Sequence, residues 1–194
     1  MSGSLTLREL TSCGAHQQGH FLLSSGLHSA DYLQCALYLA HPRRAAHAGQ
    51  LLAREITDAG LAPHMIVAPA MGGLIIGHET ARALDVPFIF TERSGGEMVL
   101  KRGFGLEPGQ RVVVVEDVVT TGRSTKEVIA ILEDLAAEVI GVASVINRSG
   151  VSQPFAPLPS CALLEVDFPI WPAEDCPLCR DGEPVSKPGS RPIS

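Results

Sequence analysis

The sequence lacks the features that would place this chain in a membrane or on nucleic acid. Its 194 residues contain no run approaching the roughly 18 apolar residues that a transmembrane helix needs. The first residues, MSGSLTLREL, do not form a basic segment followed by an apolar one, so no signal peptide is expected. The net charge is −6, whereas proteins that bind nucleic acid without sequence preference usually carry a basic surface. We therefore expect a soluble, cytoplasmic protein that binds neither nucleic acid nor a membrane.

The cysteines are few and scattered, which excludes a disulfide framework. There are five, an odd number, in a chain too long to depend on such bonds. Only Cys176 and Cys179 are clustered, as CPLC, and a structural zinc site needs four ligands. Cys13, His16, His20 or a second subunit could complete such a site. The alternative is that CPLC holds two ordinary thiols.

The apolar segments alternate between strand and helix patterns. Aromatic residues make up only 5% of the chain and hydrophobic residues 45%, a balance typical of α/β proteins. Strand patterns cover 64–68, 86–91, 112–119, 139–146 and 161–166, and helix patterns cover 5–12, 43–59, 74–84 and the residues after 124. This alternation predicts one α/β domain over 1–194, with a central, mostly parallel sheet flanked by helices.

Two segments are harder to assign. Residues 31–39 are mostly apolar and fit either a strand or a short helix. From Trp171 onward the chain is rich in proline and glycine, which predicts extended or poorly ordered structure.

The segment Val112–Ser124, VVVVEDVVTTGRS, carries the clearest functional signal. Its apolar start predicts a strand buried on both faces, and ligands bind at the carboxyl ends of such strands. Glu116 and Asp117 stand near that end and can accept hydrogen bonds from hydroxyls. TTGRS then offers hydroxyls and N–H groups where a helix begins, which suits a phosphate. The segment therefore predicts a site for a phosphorylated sugar.

The helix that follows has its own predicted start and buried stripe. Ser124 and Glu127 have the spacing of a capping box. Val128, Ile131, Leu132 and Leu135 are spaced to form the apolar face.

The stretch between residues 91 and 111, TERSGGEMVLKRGFGLEPGQ, is glycine-rich and contains Arg93, Lys101 and Arg102. Long loops between strands are often lids over a site. The alternative, weighed evenly, is a solvated hairpin whose charges serve solubility.

These motifs resemble a known family. VVVVEDVVTTGRS resembles the phosphoribosyl pyrophosphate (PRPP) motif of type I phosphoribosyltransferases, and the chain is most similar to their orotate phosphoribosyltransferases. GHFLLSSGLHSADYLQCALYL, the loop TERSGGEMVLKRGF and the arginine of VINRSG each resemble segments of those enzymes. The similarity covers roughly residues 15–170, and the CPLC tail resembles that of a short bacterial branch.

The resemblance implies a reaction and an architecture. Orotate and PRPP would give orotidine 5′-monophosphate and pyrophosphate, with Mg²⁺ held mainly by PRPP and by no direct protein ligand. Residues 1–40 would contribute to a hood over the sheet, 92–110 would form a flexible loop, and 170–194 a Pro/Gly-rich tail. The enzyme would be a homodimer whose basic loops each reach over the partner's site.

The resemblance also implies roles for individual residues. The catalytic residues would be Arg93, Lys101, Arg102 and Asp117. PRPP would be bound by Glu116, Asp117, Val118, Val119, Thr120, Thr121, Gly122, Arg123 and Ser124, and its pyrophosphate by the loop Ala70, Met71, Gly72 and Gly73. Orotate would be bound by Ser25, Gly26, Thr120 and Arg148.

The chain departs from the family at two lysines. Glycine stands at position 72 and serine at position 24, where many relatives have lysine. Backbone N–H groups or the basic loop could replace the missing charge. Two alternatives stay open: another purine or pyrimidine phosphoribosyltransferase, and a PRPP-sensing regulator without turnover. A kinase-type nucleotide site is disfavoured, because no GxxxxGK[ST] loop is present.

Overall fold

A computed structural model describes residues 4–23 and 25–188, which divide into two compact units. The large unit contains Leu39–Val166 with the described residues up to Thr6, and the small unit contains Leu7–Tyr38 with the residues from Asp167 onward. Ser24, one of the two lysine departures, lies outside the described residues. None of the described helices is long and apolar enough to cross a membrane.

The elements alternate largely as predicted. In chain order they are α1 (Leu7–Ser12), β1 (His16–Leu22), β2 (His28–Leu33), α2 (Cys35–Leu39), α3 (Pro42–Asp58), β3 (Met65–Pro69), α4 (Gly73–Leu84), β4 (Phe88–Ser94), β5 (Glu97–Leu100), β6 (Arg111–Val119), α5 (Arg123–Asp134), β7 (Glu138–Asn147), β8 (Ser160–Glu165), β9 (Ile170–Trp171) and α6 (Pro177–Arg180).

The large unit is built on a six-stranded sheet in the order β5-β4-β3-β6-β7-β8. All neighbours are parallel except β4 and β5. Val112–Val115 lie in the middle of this sheet and are fully buried, as the run of β-branched residues predicted. The predicted mostly parallel α/β sheet is confirmed, and it places the end of β6 between the ends of β3 and β7.

Helix α5 differs from its prediction at both ends. It begins at Arg123 after Gly122, which makes no side-chain cap bond, so the predicted capping box from Ser124 to Glu127 is wrong. Glu127 is instead engaged by two arginines. Val128 and Leu132 are buried in the core, but Leu135 is 42% exposed because the helix has already ended.

The predicted loop 92–110 contains a hairpin that the sequence analysis left open. Strand β4 continues to Ser94 and pairs antiparallel with β5 through a turn at Gly95 and Gly96. Both glycines have positive φ, the conformation that tight hairpin turns require. The first half of this segment is therefore an edge hairpin.

The small unit contains the sheet β1-β2-β9. The ambiguous segment 31–39 contains both alternatives, the end of β2 and then α2. The prediction of an extended or poorly ordered tail is wrong for the described part of it. Trp171 pairs with His28, helix α6 follows, and Ser186 bonds to β1. Strand β9 of this tail pairs with β2, which lies more than 130 residues earlier in the chain. Local sequence does not encode a contact over that separation.

Candidate active site

The acidic pair lies where β6 approaches its carboxyl end. Glu116 is buried and Asp117 is half-buried, as successive strand residues point to opposite faces. Burial, together with the charge of Asp117, raises the pKa of Glu116 to about 9. A hydrogen bond from Thr125, a buried residue in the first turn of α5, opposes this rise in the pKa of Glu116. The two carboxyls therefore differ in solvation although they are adjacent.

The loop after β6 and the start of α5 form an open helix terminus. Thr120 and Thr121 are exposed, and the Thr121 hydroxyl accepts a bond from the Arg123 N–H at 3.4 Å. Gly122, the N-cap residue, has no side chain that could bond to the N–H groups of the first turn of α5. This arrangement suits an anion. The Arg123 side chain points outward, as expected, and its guanidinium bonds to Glu127.

Gly122 is constrained in two ways. Its φ of +69° is a conformation that favours glycine. A Cβ added there would lie 2.8 Å from the ring of Phe155. The resemblance implies a role for Gly122 in PRPP binding, but nothing in the local sequence indicates that Phe155 packs there.

The glycine loop after β3 lies against the acidic pair. It contains the cis peptide between Ala70 and Met71, and α4 begins directly after it. A Cβ at Gly72 would lie 2.5 Å from a carboxylate oxygen of Asp117. A Cβ at Gly73 would lie 2.9 Å from Ala68. Glycine at position 72 therefore leaves the space that the Asp117 carboxylate occupies, which is a physical reason for the absent lysine.

Arg148 lies at the same edge of the sheet. Its N–H donates to the Val119 carbonyl at 2.8 Å, which joins the end of β7 to the end of β6. Asn147, which is buried, holds the following turn by donating to the Val151 carbonyl and accepting from the Ser149 hydroxyl. The sequence analysis missed Asn147, whose position after an apolar strand was the available signal.

The basic residues of the hairpin are engaged by neighbouring groups. Arg93 donates to Glu127 at 2.6 Å, and Lys101 donates to the Ser94 hydroxyl at 2.7 Å. Arg102 pairs with Glu92 at 2.7 Å and lies over the ring of Phe90.

Exposed pairs of this kind contribute little stability, so the cations can exchange their partners for a stronger anion. Bonds from Arg123 and then Arg93 hold the pKa of Glu127 below its usual range.

Ser25 and Gly26 belong to the small unit, in the turn between β1 and β2. The Ser25 hydroxyl accepts a bond from the Leu27 N–H at 3.4 Å, and Gly26 has a φ of +83°. Their assignment to orotate stays a prediction.

Comparison with known proteins identifies the fold and the family. Residues 36–154 match the model of the phosphoribosyl transferase domain. The structure is similar to a crystal structure of orotate phosphoribosyltransferase from Aeropyrum pernix, with a TM-score of 0.69, 24% identity, and coverage of 82% of this chain and 92% of that one. An adenine phosphoribosyltransferase from Thermoanaerobacter pseudethanolicus is similar with a TM-score of 0.62 at 19% identity, covering 70% and 88% of the two chains. These structures define the fold.

Curated sequences narrow the family. The chain is 47% identical over 174 residues to a protein named orotate phosphoribosyltransferase from Carboxydothermus hydrogenoformans, covering 90% of this chain and 91% of that one. It is 46% identical over 182 residues to one of the same name from Thermotoga maritima, covering 94% and 96%. The chain therefore belongs to the phosphoribosyltransferases and, within them, to the orotate phosphoribosyltransferase family.

The site fits a magnesium ion that the substrate carries. Carboxylate oxygens are the ligands that Mg²⁺ prefers, and Glu116 and Asp117 supply them here. Among residues 4–23 and 25–188, three or more candidate ligand side chains converge only in the small unit, and Glu116 and Asp117 are not among them.

Proposed function

We propose that this chain is an enzyme that transfers the ribosyl phosphate of PRPP to orotate, giving orotidine 5′-monophosphate and pyrophosphate in pyrimidine nucleotide synthesis. One observation carries the proposal. The acidic pair of β6 lies between an anion-binding helix terminus and a glycine loop whose Gly72 is against Asp117. This arrangement supports a proposal in which the hydroxyls, the 5′-phosphate and the leaving pyrophosphate are bound along one edge of the sheet.

The ribose and its phosphate are held by the β6–α5 segment. Glu116 and Asp117 accept hydrogen bonds from the 2′- and 3′-hydroxyls, directly or through water. The 5′-phosphate accepts bonds from hydroxyls and N–H groups between Thr120 and Ser124, at the positive end of α5. The Asp117 carboxylate also stabilises the positive charge that develops on the ring as pyrophosphate leaves.

The pyrophosphate is held by the glycine loop and the hairpin cations. Residues 70–73 donate backbone N–H groups, and Arg93, Lys101 and Arg102 neutralise the leaving charge. Their present partners are exposed carboxylates and a hydroxyl, which an anion with several charges can displace. Closure of this segment excludes water that would otherwise hydrolyse PRPP.

Orotate is recognised by Arg148, with Thr120, Ser25 and Gly26. The planar guanidinium of arginine matches a carboxylate through two parallel hydrogen bonds. Arg148 is half-buried and its backbone is bonded to Val119, so its side chain starts beside the residues that bind the ribose. No acid–base residue is assigned, since deprotonation at orotate N1 needs no strong base.

Magnesium and a partner subunit complete the proposal. Bound with PRPP, Mg²⁺ would neutralise the pyrophosphate, while Glu116 and Asp117 orient the ribose beside it. The enzyme is proposed to be a cytoplasmic homodimer. In this dimer, the basic residues of each hairpin lie over the substrate that is bound in the partner subunit.

Orotate consumption with PRPP and Mg²⁺ tests the function, with uracil, adenine and hypoxanthine assayed in parallel. Turnover of orotate alone is expected. Turnover of another base would transfer the assignment to a different phosphoribosyltransferase. PRPP binding without turnover of any base would indicate a sensing regulator.

A further inference from the structure

A cluster of metal-ligating side chains lies in the small unit, and none of its members is assigned to the reaction. Its members are His20, His28, Cys176 and Cys179, whose four ligand atoms all lie within 4.8 Å of one another. His20, His28 and Cys176 are buried. Two rings and a thiol are thus removed from water together, which costs free energy unless a partner satisfies their polar atoms.

Three sulfur–nitrogen distances in the cluster are close to those between ligands of a tetrahedral zinc ion. With Zn–S near 2.3 Å and Zn–N near 2.05 Å, sulfur and nitrogen ligands are about 3.6 Å apart. The Cys176 and Cys179 sulfurs lie 3.5 and 3.6 Å from Nε2 of His20, and Cys179 Sγ lies 3.3 Å from Nδ1 of His28. The two ring nitrogens are 2.7 Å apart, and this distance would lengthen to about 3.3 Å around an ion.

The surroundings prepare His20 to bind a metal. Its Nδ1 lies 2.8 Å from the Glu183 carbonyl, which can only accept a hydrogen bond. Nδ1 must therefore carry the proton, and the unprotonated Nε2 faces the cluster. A ligating histidine that donates its other N–H to a backbone carbonyl is the usual arrangement at zinc sites.

The backbone brings the four residues together from three segments. His20 and His28 lie on the paired strands β1 and β2. Cys176 precedes α6 and Cys179 follows one turn later, so both thiols face the same point. The C-terminal segment that contains both cysteines is held on either side of them, because Trp171 pairs with His28 and the Ser186 N–H donates to the His20 carbonyl at 2.8 Å.

The small unit has a small hydrophobic core. Among its described residues, the large hydrophobic side chains that are buried are Leu10, Phe21 and Tyr38. A metal that joins the tail to β1 and β2 would supply the missing stability, as it does in small domains generally.

We propose that His20, His28, Cys176 and Cys179 bind a structural zinc ion that fastens the C-terminal segment to the β1–β2 sheet. Binding releases the two thiol protons to solvent, and the thiolates balance the charge of Zn²⁺. Two thiolates and two imidazoles in a tetrahedral arrangement favour zinc over Mg²⁺ or Ca²⁺, which prefer oxygen ligands. The site takes no part in PRPP chemistry, so it stands or fails independently of the proposed reaction.

Metal analysis of the full-length protein, purified under reducing conditions without chelators, tests the proposal. We expect about one zinc per chain. Cys179→Ser should weaken zinc binding by about 100-fold or more, since it removes a ligand itself. Cys13→Ser, which changes another thiol of the same unit outside the cluster, should retain the metal. Equal zinc in both variants would overturn the proposal, as would a metal-free parent protein after incubation with zinc.

A second variant separates ligand loss from misfolding. His28→Cys keeps four ligands, so it should fold and retain zinc. With Co²⁺ in place of zinc, the thiolate-to-cobalt absorption should rise by about half as two thiolates become three. If neither the parent protein nor His28→Cys shows this absorption band, the proposed site is contradicted. The mass of the parent protein provides a further check. A mass lower by two hydrogen atoms would indicate a disulfide between Cys176 and Cys179 instead of a zinc site.

Discussion

Glu116 and Asp117 are neighbours with different surroundings. Glu116 lies beneath the start of α5, where Thr125 bonds to it, and the half-buried Asp117 faces the glycine loop. Because burial raises the pKa of Glu116, that carboxyl holds a proton at neutral pH in the substrate-free protein. Asp117 is consequently the member of the pair best placed to act on a substrate.

Replacing Asp117 with asparagine should reduce turnover far more than it alters folding. The variant keeps the shape of the side chain but loses the charge that we propose stabilises the ribosyl cation. A loss of about 100- to 1,000-fold in kcat is expected, the range for one preorganised electrostatic contact. Steady-state kinetics with orotate and PRPP would measure it, and urea unfolding should show little change.

Asp134→Asn, the same exchange at the exposed end of α5, is the matched control and should leave kcat unchanged. Equal activity of Asp117→Asn and the parent enzyme would refute the assigned role.

Replacing Glu116 with glutamine should alter how stability depends on pH. The folded protein binds this proton more tightly than the unfolded chain, so the contribution of Glu116 is complete below its unfolded pKa of 4.5 and is lost as pH rises through about 9. The free energy of unfolding of the parent should therefore fall across this range, with a contribution of at most about 1.4 kcal/mol per pH unit from this group. The variant should lack that contribution.

Urea denaturation at several pH values measures the difference between the two proteins. Glu133→Gln, at an exposed position of α5, should follow the parent. Parallel profiles for Glu116→Gln and the parent would show that Glu116 ionises normally.

At the scale of elements, the junction of β6 and α5 depends on one glycine. Gly122→Ala should destabilise the protein by about 1–2 kcal/mol from its left-handed backbone and by about 1–3 kcal/mol more from contact with Phe155. It should also raise KM for PRPP, since the phosphate segment must shift. Urea unfolding and steady-state kinetics would measure both effects.

Gly150→Ala separates the effect of the left-handed backbone from the effect of the contact with Phe155. Gly150 has a similar φ of +72° but nothing within 4 Å of an added Cβ. Gly150→Ala should therefore lower the free energy of unfolding only by the cost of the left-handed backbone conformation. Equal destabilisation by the two substitutions would mean that the Phe155 ring moves aside freely.

The elements show where sequence patterns fail. The buried run Val112–Val115 predicted β6 correctly, because only a central strand buries four consecutive apolar residues. The capping box predicted at the start of α5 was wrong, since Glu127 pairs with Arg93 from a distant strand in place of a capping bond. For a similar reason, the sequence pattern did not decide whether the segment 92–110 contains a strand. Glu97–Leu100 forms β5 because β4 lies beside it and pairs with it.

At the scale of the whole molecule, the proposed sharing of hairpins between subunits can be tested by mixing variants. An Arg148→Ala subunit keeps its hairpin, and a Lys101→Ala/Arg102→Ala subunit keeps its Arg148. A mixed dimer would then contain one site with both intact. After random mixing, about a quarter of the parent activity should return, because half of the dimers are mixed and each has one working site.

Each variant alone should stay inactive, which provides the control. No recovery on mixing, with mixed dimers verified by native mass spectrometry, would mean that each hairpin serves its own subunit.

The sequence by itself determined the α/β sheet, the acidic pair and the loop that we propose binds a phosphate. These depend on contiguous residues, whose periodicity and spacing already specify a strand, its end and the following helix. The tertiary structure decided which distant groups meet: Gly72 against Asp117, Phe155 against Gly122, and CPLC against His20 and His28. Contacts of this kind depend on strand order and on where the tail lies. Local sequence does not encode either, because both result from packing the whole chain.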